Sequence, residues 1–94
     1  MEIKEFQNKI RKTYYDKDAR RGKAETFRWL IEEIGELARA IRNMNTEELN
    51  EEFSDVCAWL FSLANLYEID MESAMTKYDK GCPKCGKSPC QCKE

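Results

Sequence analysis

The chain is short, slightly acidic and free of histidine. It has 94 residues, a formal net charge of −2, 41% hydrophobic and 36% charged residues, and only four glycines and two prolines. These values indicate one soluble helical domain near the size limit for a self-sufficient core, and they argue against a β-sandwich, disorder and non-specific nucleic-acid binding. Without histidine, Ser-His and Cys-His nucleophiles and histidine-ligated zinc are excluded.

The first two predicted elements are a helix and a loop. Apolar residues at helical spacing predict a helix from about Ile3 to Tyr15, and the charged stretch Asp16–Gly22 is expected to be a loop. The N-terminal residues are charged and no apolar run reaches membrane-spanning length, so we expect a cytoplasmic protein that has no membrane partner.

Two long helices follow, from Lys23 to Arg42 and from about Thr46 to Tyr67, and Asp70 is expected to cap a fourth from about Met71 to Lys80. Asn45 suits the N-cap of the third helix, with Glu48 as its capping-box partner. The apolar stripe of the second helix comprises Phe27, Leu30, Ile31, Ile34, Leu37, Ala38 and Ile41, and we place its centre at Ile34.

The third predicted helix is apolar on nearly all sides between Trp59 and Leu66. Such a segment needs cover all round, and so small a chain offers few elements to supply it. Cys57 falls on the stripe of this helix and is expected to be a buried apolar residue. The predicted fold is therefore an all-α antiparallel bundle of about four helices, completed by homo-oligomerisation.

Two acidic pairs stand out on the second and third helices. Glu33 and Glu36 share one flank of the second helix, and Glu52 and Asp55 share the matching flank of the third. A single pair of this kind is usually solvated surface charge. Because four carboxylates on facing helices repel one another unless a cation lies between them, the two pairs predict a Mg²⁺ site that handles phosphates.

The acidic pairs and their surroundings also resemble a known family. The run from Thr26 to Ala38 (TFRWLIEEIGELA), followed by EEFSDV at 51–56, is similar to the MazG-like nucleotide pyrophosphohydrolases of the all-α NTP pyrophosphatase superfamily. The hallmark of that superfamily is E-E-x-x-E followed by E-x-x-D. The resemblance covers most of residues 1–80, which we take as the catalytic domain.

The resemblance implies a hydrolase that converts a nucleoside triphosphate to the monophosphate and pyrophosphate. It implies that Glu33, Glu36, Glu52 and Asp55 hold Mg²⁺, or Mn²⁺ in its place, and that an activated water attacks the α-phosphorus. Glu33 or Glu36 is the expected catalytic carboxylate that orients or deprotonates this water. The superfamily also pairs helical hairpins across two-fold axes, which implies a homodimer or homotetramer.

Five further residues are candidates for binding the nucleotide. Arg21 and Lys77 resemble basic elements on either side of the acidic motifs in the family, and each is a candidate phosphate contact. Trp29 and Trp59 flank the acidic faces and are candidates for stacking on a base, with core or interface packing as the alternative. Asn65 is a candidate either to read a base edge or to bond across helices.

The tail at 81–94 is rich in cysteine. The sequence C-P-K-C-G followed by P-C-Q-C predicts a zinc knuckle in which Cys82, Cys85, Cys90 and Cys92 bind one Zn²⁺. Two disulfides are the alternative, which a reducing cytoplasm and the strain of a C-x-C bridge disfavour. Four thiolates leave no open position on the metal, so the zinc is expected to be structural.

Two alternative functions remain open. One is a related pyrophosphatase of the same superfamily that acts on dCTP, dUTP or phosphoribosyl-ATP. The other is a non-catalytic helical zinc-knuckle module that binds protein or nucleic acid. The four-carboxylate set argues against a pure scaffold, and the negative charge makes nucleic acid an unfavoured partner.

Overall fold

The computed structural model describes residues 1–94 and consists of four α-helices without a strand. The helices are α1 (Ile3–Arg21), α2 (Lys23–Asn43), α3 (Thr46–Leu66) and α4 (Met71–Met75), and a 3-10 turn follows at Thr76–Tyr78. The all-α prediction is confirmed, and the bounds of α2 and α3 lie within one residue of those predicted. None of these helices combines the length and apolar composition needed to cross a membrane.

The loop predicted at Asp16–Gly22 is wrong, because α1 continues to Arg21 and the chain breaks only at Gly22. Nothing in DKDARR excludes a helix, and the charges support it, since Arg21 pairs with Asp18 one turn earlier at 2.8 Å. Gly22 has φ 91° and ψ 166°, a conformation that is essentially restricted to glycine. This residue therefore separates α1 from α2 with a single-residue connection.

Side chains cap the later helices at the predicted residues, but the Glu48 side chain makes no capping-box bond back to the Asn45 amide. The Asn45 side chain accepts a hydrogen bond from the Glu48 amide at 3.1 Å and starts α3. Asp70 accepts from the amides of Glu72 and Ser73 at the start of α4. α4 itself is shorter than the predicted Met71–Lys80 segment and ends at Met75.

α2 packs antiparallel on α3, and α1 packs across α3. Only ten of the 94 residues are buried, and half of these are polar. The buried apolar residues are Ile10, Leu30, Ala40, Phe61 and Ala64, and the buried polar ones are Gln7, Asp18, Thr26, Ser62 and Asn65. The radius of gyration is 15.6 Å, against about 12 Å for a typical domain of this length. One copy of the chain thus encloses little core.

The apolar stripe predicted to face the core of α2 lies largely in the open. Phe27, Ile31, Ile34 and Ile41 are 44–55% exposed, whereas Thr26, Leu30 and Ala40 are buried. At about 100° per residue, the buried row is centred roughly 80° around the helix from Ile34. The predicted centre was therefore wrong, and Glu33 lies in the row that faces α3.

On α3 the predicted burial is partly wrong as well. Cys57 is exposed, although the partial burial of its thiol raises the pKa. Phe61 is buried and meets Phe6 of α1 edge-to-face, with ring centroids 5.0 Å apart. α1 therefore covers one side of the Trp59–Leu66 segment within the same chain, while Phe53 and Leu60 remain exposed.

Candidate active site

Three of the four predicted carboxylates meet between α2 and α3. Glu33, Glu52 and Asp55 each offer a carboxylate oxygen, and these oxygens lie within 4.8 Å of one another. Their meeting follows from the packing, since Glu33 is in the α3-facing row of α2 and the other two lie one turn apart on α3. We call this set the carboxylate trio.

The trio carries unfavourable charge. Burial raises the pKa of Glu33, and the nearby Asp55, Glu52 and Glu36 carboxylates raise it further. The pKa of Glu52 is raised by burial and then by Asp55 and Glu36. Such shifts mean that ionised carboxylates lack compensating positive charge here, which makes the site attractive to a cation.

Glu36 lies beside the trio and outside it. Its side chain is exposed and pairs with Arg39 at 3.6 Å, three residues along α2. It is still close enough to raise the pKa of both Glu33 and Glu52. The rotation of α2 explains this position, because residue 36 falls on the edge of the α3-facing row and residue 33 near its centre.

One oxygen of the trio identifies the kind of group that would complete the site. Oε2 of Glu52 is buried and has no hydrogen-bond partner, which is costly for a carboxylate unless a cation or donor approaches it. All the candidate ligands are oxygens, the preference of Mg²⁺ and Mn²⁺ rather than of softer metals. The residues present therefore fit a hard divalent cation.

A cavity of about 280 Å³ adjoins the trio and shares Asp55 with it. Its lining comes from the end of α1 and the middle of α3 and comprises Tyr14, Lys17, Asp18, Arg21, Asp55, Ala58, Trp59 and Ser62. We call it the α1 cavity. Two of the predicted nucleotide-binding residues, Arg21 and Trp59, are among the residues that line it.

Arg21 is held firmly at the α1 cavity. Its Nη1 donates to Asp18 Oδ1 at 2.8 Å and to Thr26 Oγ1 at 3.1 Å, and both partners are buried. Its guanidinium also lies 4.8 Å from the ring centroid of Trp59. Trp59 in turn stacks on Trp29 at 6.1 Å with an interplanar angle of 19°. Both tryptophans therefore already have partners within the chain.

The remaining two predicted nucleotide-binding residues lie elsewhere. Asn65 is buried, its Oδ1 accepts from Gln7 Nε2 at 2.9 Å, and its Nδ2 donates to the Gln7 carbonyl at 3.4 Å. Its amide thus bonds across helices, the second of the two roles considered for it. Lys77 lies in the 3-10 turn with its Nζ 5.2 Å from the Tyr78 ring centroid, and it does not line the α1 cavity.

The four tail cysteines converge as a second candidate metal site. Their Sγ atoms lie within 4.8 Å of one another, with Cys82 to Cys92 at 3.8 Å and Cys85 to Cys90 at 4.0 Å. A tetrahedral Zn²⁺ with Zn–S bonds of about 2.3 Å would separate its sulfurs by about 3.8 Å. All four thiols are free, so the cluster fits a tetrahedral thiolate-bound metal.

Backbone amides favour the thiolate form of Cys85, but the pKa values of the four cysteines do not all shift in the same direction. Amide N–H groups of Gln91 and Lys87 lower the pKa of Cys85 to about 6, whereas the neighbouring thiols raise the pKa of Cys92 to about 11. The turn also depends on Gly81 at φ 103°, where an added Cβ would lie 2.8 Å from the Lys87 carbonyl oxygen.

Sequence reasoning missed five residues at the α1 cavity, namely Tyr14, Lys17, Asp18, Ala58 and Ser62. The first three and Arg21 occupy positions i, i+3, i+4 and i+7, the spacing of one helix face. That signal was present in the sequence and was hidden by the expectation of a loop. Ser62 carries no such signal, because its burial depends on where α1 crosses α3.

Comparison with known proteins shows which family the chain belongs to. No curated protein matches the chain. The family model described as MazG nucleotide pyrophosphohydrolase domain matches residues 21–86. The match includes the whole carboxylate trio, Arg21 and the first two cysteines of the tail. The chain therefore belongs to the MazG nucleotide pyrophosphohydrolase domain family.

Proposed function

We propose that this protein is a Mg²⁺-dependent nucleoside triphosphate pyrophosphohydrolase, which releases a nucleoside monophosphate and pyrophosphate. The observation that carries the proposal is the carboxylate trio with its buried, unpartnered Glu52 oxygen. A scaffold would gain nothing from three mutually repelling carboxylates, whereas a polyphosphate-binding cation would remove the repulsion.

Glu33, Glu52 and Asp55 would hold the ion between α2 and α3, with Mn²⁺ as a substitute. When bound, Mg²⁺ would neutralise phosphate charge and lower the pKa of a nearby water. Glu36, outside the trio and exposed, is then available as the carboxylate that orients this water and accepts its proton. The water oxygen bonds to the α-phosphorus, and the bond from that phosphorus to the bridging oxygen breaks, so that pyrophosphate leaves.

The proposal includes self-association of the chain as a homodimer or homotetramer. The exposed side chains of α2, Phe27, Ile31, Ile34 and Ile41, form one continuous apolar face, and Phe53 and Leu60 of α3 are exposed as well. Contiguous apolar surface of this kind usually marks an interface. A second copy offers the same face, which suits a two-fold contact.

The tail at 81–94 is proposed to be a structural zinc knuckle beside a catalytic domain at 1–80. The sulfur separations of 3.8 and 4.0 Å support a closed tetrahedral site. Since four thiolates fill the coordination sphere, hydrolysis should not depend on this metal.

A product assay tests the proposed function. The protein is incubated with a panel of NTPs and dNTPs and with phosphoribosyl-ATP in the presence of Mg²⁺, and the products are separated. Monophosphate with pyrophosphate is the expected result. Diphosphate with orthophosphate, or no turnover of any member of the panel, would overturn the proposal.

A further inference from the structure

The four cysteines of the tail are divided between two short segments, which we call the first segment (82–87) and the second segment (88–94). Two hydrogen bonds between backbone groups close the first segment, whereas the second segment makes none. The Gln91 amide of the second segment instead donates to Cys85 Sγ of the first at 3.4 Å. The sulfur cluster is therefore what joins the two segments.

Two sulfur contacts cross between these segments. Cys82 Sγ lies 3.8 Å from Cys92 Sγ, and Cys85 Sγ lies 4.0 Å from Cys90 Sγ. Disulfides along these contacts would be nested, with the 85–90 bridge inside the 82–92 bridge. Neither would be a bridge within C-Q-C, so the strain that disfavours such a bridge does not arise in this pairing.

All four thiols are accessible to a small solute. Each is free, Cys90 and Cys92 are exposed, and Cys82 and Cys85 are only half-buried. Accessible thiols that have a second thiol beside them are the ones that peroxides convert to disulfides, through a sulfenic acid. The cluster supplies such a second thiol to each of its members. Cys57 is exposed too, but it lies on α3 outside the cluster.

We propose that the cysteine tail is a site of reversible oxidation, where peroxide converts the four thiols to the disulfides Cys82–Cys92 and Cys85–Cys90 and the bound zinc is released. For each disulfide, one sulfur attacks a peroxide oxygen, the O–O bond breaks, and a sulfenic acid and water form. The facing thiol then attacks the sulfenic sulfur, and a second water leaves. Two thiols are oxidised by two electrons, and one peroxide is reduced to two waters. Zinc leaves because its ligand is the thiolate, which a disulfide no longer provides.

The pairing makes the oxidation reversible. Because both disulfides join the first segment to the second, the segments stay together after the metal has left, and reduction restores the same four thiols to one place. Bridges within each segment would instead separate the two. The inference rests on the proposed zinc knuckle for the release of metal, whereas disulfide formation depends on the thiols alone.

Zinc release from the full chain tests the first half of the proposal. The zinc-loaded protein is treated with hydrogen peroxide, and free zinc is followed with a colorimetric chelator. We expect loss of most of the bound zinc, with about two peroxides consumed per zinc, and recovery of zinc binding after a thiol reductant. Cys57→Ser should lose zinc to the same extent as the wild type. Zinc that stays bound in a large excess of peroxide would overturn the proposal.

Peptide mapping tests the pairing. Cleavage by trypsin after Lys84 and Lys87 puts the two cysteines of the first segment on different peptides and the C-Q-C sequence on a third. The proposed disulfides link all three peptides, and fragmentation at Gln91 in the mass spectrometer shows which partner each cysteine of C-Q-C holds. A bridge within either segment, a bridge between chains, or any other pairing would overturn the assignment.

The zinc knuckle and the oxidation site fail separately. Protein that contains no zinc and still forms the two crossed disulfides would remove the zinc knuckle and support the oxidation site. Protein that holds zinc and whose tail thiols resist peroxide would support the knuckle and remove the oxidation site.

Discussion

Glu33 is an acid placed on the face of α2 that packs against α3, and its neighbours in the trio are acids too. We expect Glu33→Gln to abolish turnover, with a loss greater than the 10–100-fold typical of residues that only support a metal ligand. In metal-free buffer the variant should melt at the same or a higher temperature, since one repelling charge is gone. Activity assays at varied Mg²⁺ and thermal melts in EDTA measure both effects.

Glu32→Gln is the matched control for that change. Glu32 is adjacent and exposed, so its variant should keep both the activity and the melting temperature of the wild type. Full activity of Glu33→Gln at limiting Mg²⁺ would remove Glu33 from the proposed ligand set.

The raised pKa values of Glu33 and Glu52 predict a pH dependence of stability. Both lie above the ordinary value of 4.5, so above pH 4.5 the folded protein retains protons that the unfolded chain has lost. The free energy of unfolding in EDTA should therefore decrease as pH rises from about 4.5 through the raised pKa values. Denaturant titrations at several pH values measure this slope.

Two comparisons test whether the trio causes this pH dependence: wild type with Mg²⁺, and the Glu33→Gln variant. Saturating Mg²⁺ should recover the stability lost at neutral pH, because the ion binds only the folded, ionised trio. The slope should also be shallower in Glu33→Gln. A slope that is identical in wild type and variant would show that other groups cause it.

Among the structural elements, the connection between α1 and α2 depends on a single glycine. Gly22→Ala should lower the free energy of unfolding by about 1–3 kcal/mol, because φ 91° with ψ 166° strains any residue that has a Cβ. No atom lies within 4 Å of the position of the added methyl group, so the loss would come from the backbone alone. Denaturant unfolding of this variant beside Ala24→Ser, an exposed change in the first turn of α2, measures it.

The cysteine tail should bind about one zinc per chain. Cys85→Ser should lose most of it, because three thiolates and a hydroxyl bind Zn²⁺ far more weakly than four thiolates. Cys57→Ser should retain the full amount, since Cys57 lies on α3 outside the cluster. Elemental analysis after dialysis gives the stoichiometry. Zinc binding that survives Cys85→Ser, or nucleotide hydrolysis that follows zinc content, would contradict a structural knuckle.

At this scale the helices could be predicted well from the sequence, and one connection could not. The long apolar periodicity predicted the extents of α2 and α3. Asn45 marked the start of α3, and Asp70 marked the start of α4. The end of α1 was misjudged because clustered charge was weighed as a loop signal. In the structure Asp18 and Arg21 satisfy each other, so the only real interruption is Gly22.

For the whole molecule, the exposed face of α2 predicts the behaviour of the chain in solution. Ile34→Glu should dissociate the proposed oligomer, because a two-fold contact would bring the new charge close to its copy. The protomer should stay folded, since Ile34 is 44% exposed. Sedimentation at micromolar protein and circular dichroism measure the two properties. Lys9→Glu, an exposed change on α1, is the control.

A wild-type chain that sediments as a folded, active 11.1 kDa monomer would contradict self-association. Phe61 is unsuitable for this test, because it is buried against Phe6 and a charge there would unfold the protomer.

The surfaces through which the helices pack were the feature least predictable from the sequence. Periodicity showed that α2 has a broad apolar surface, and it correctly brought the acidic residues of α2 and α3 to one side. It could not tell which part of that surface packs on α3 and which part remains for a partner, since both are apolar. Because the row that contains Thr26, Leu30 and Ala40 packs on α3, Glu33 belongs to the trio and Glu36 lies outside it.

The buried pair Gln7 and Asn65 has a consequence for the order in which the chain folds. Gln7 Nε2 donates to Asn65 Oδ1 and to the Ile69 carbonyl, and its Oε1 accepts from the Met71 amide. These partners are 58 to 64 positions away, so α1 gains its polar anchors only after the chain has been built through Met71. α1 should therefore dock late, as one cooperative unit with the α3–α4 turn. Since α1 carries Asp18 and Arg21, the α1 cavity is complete only when α1 is docked on α3.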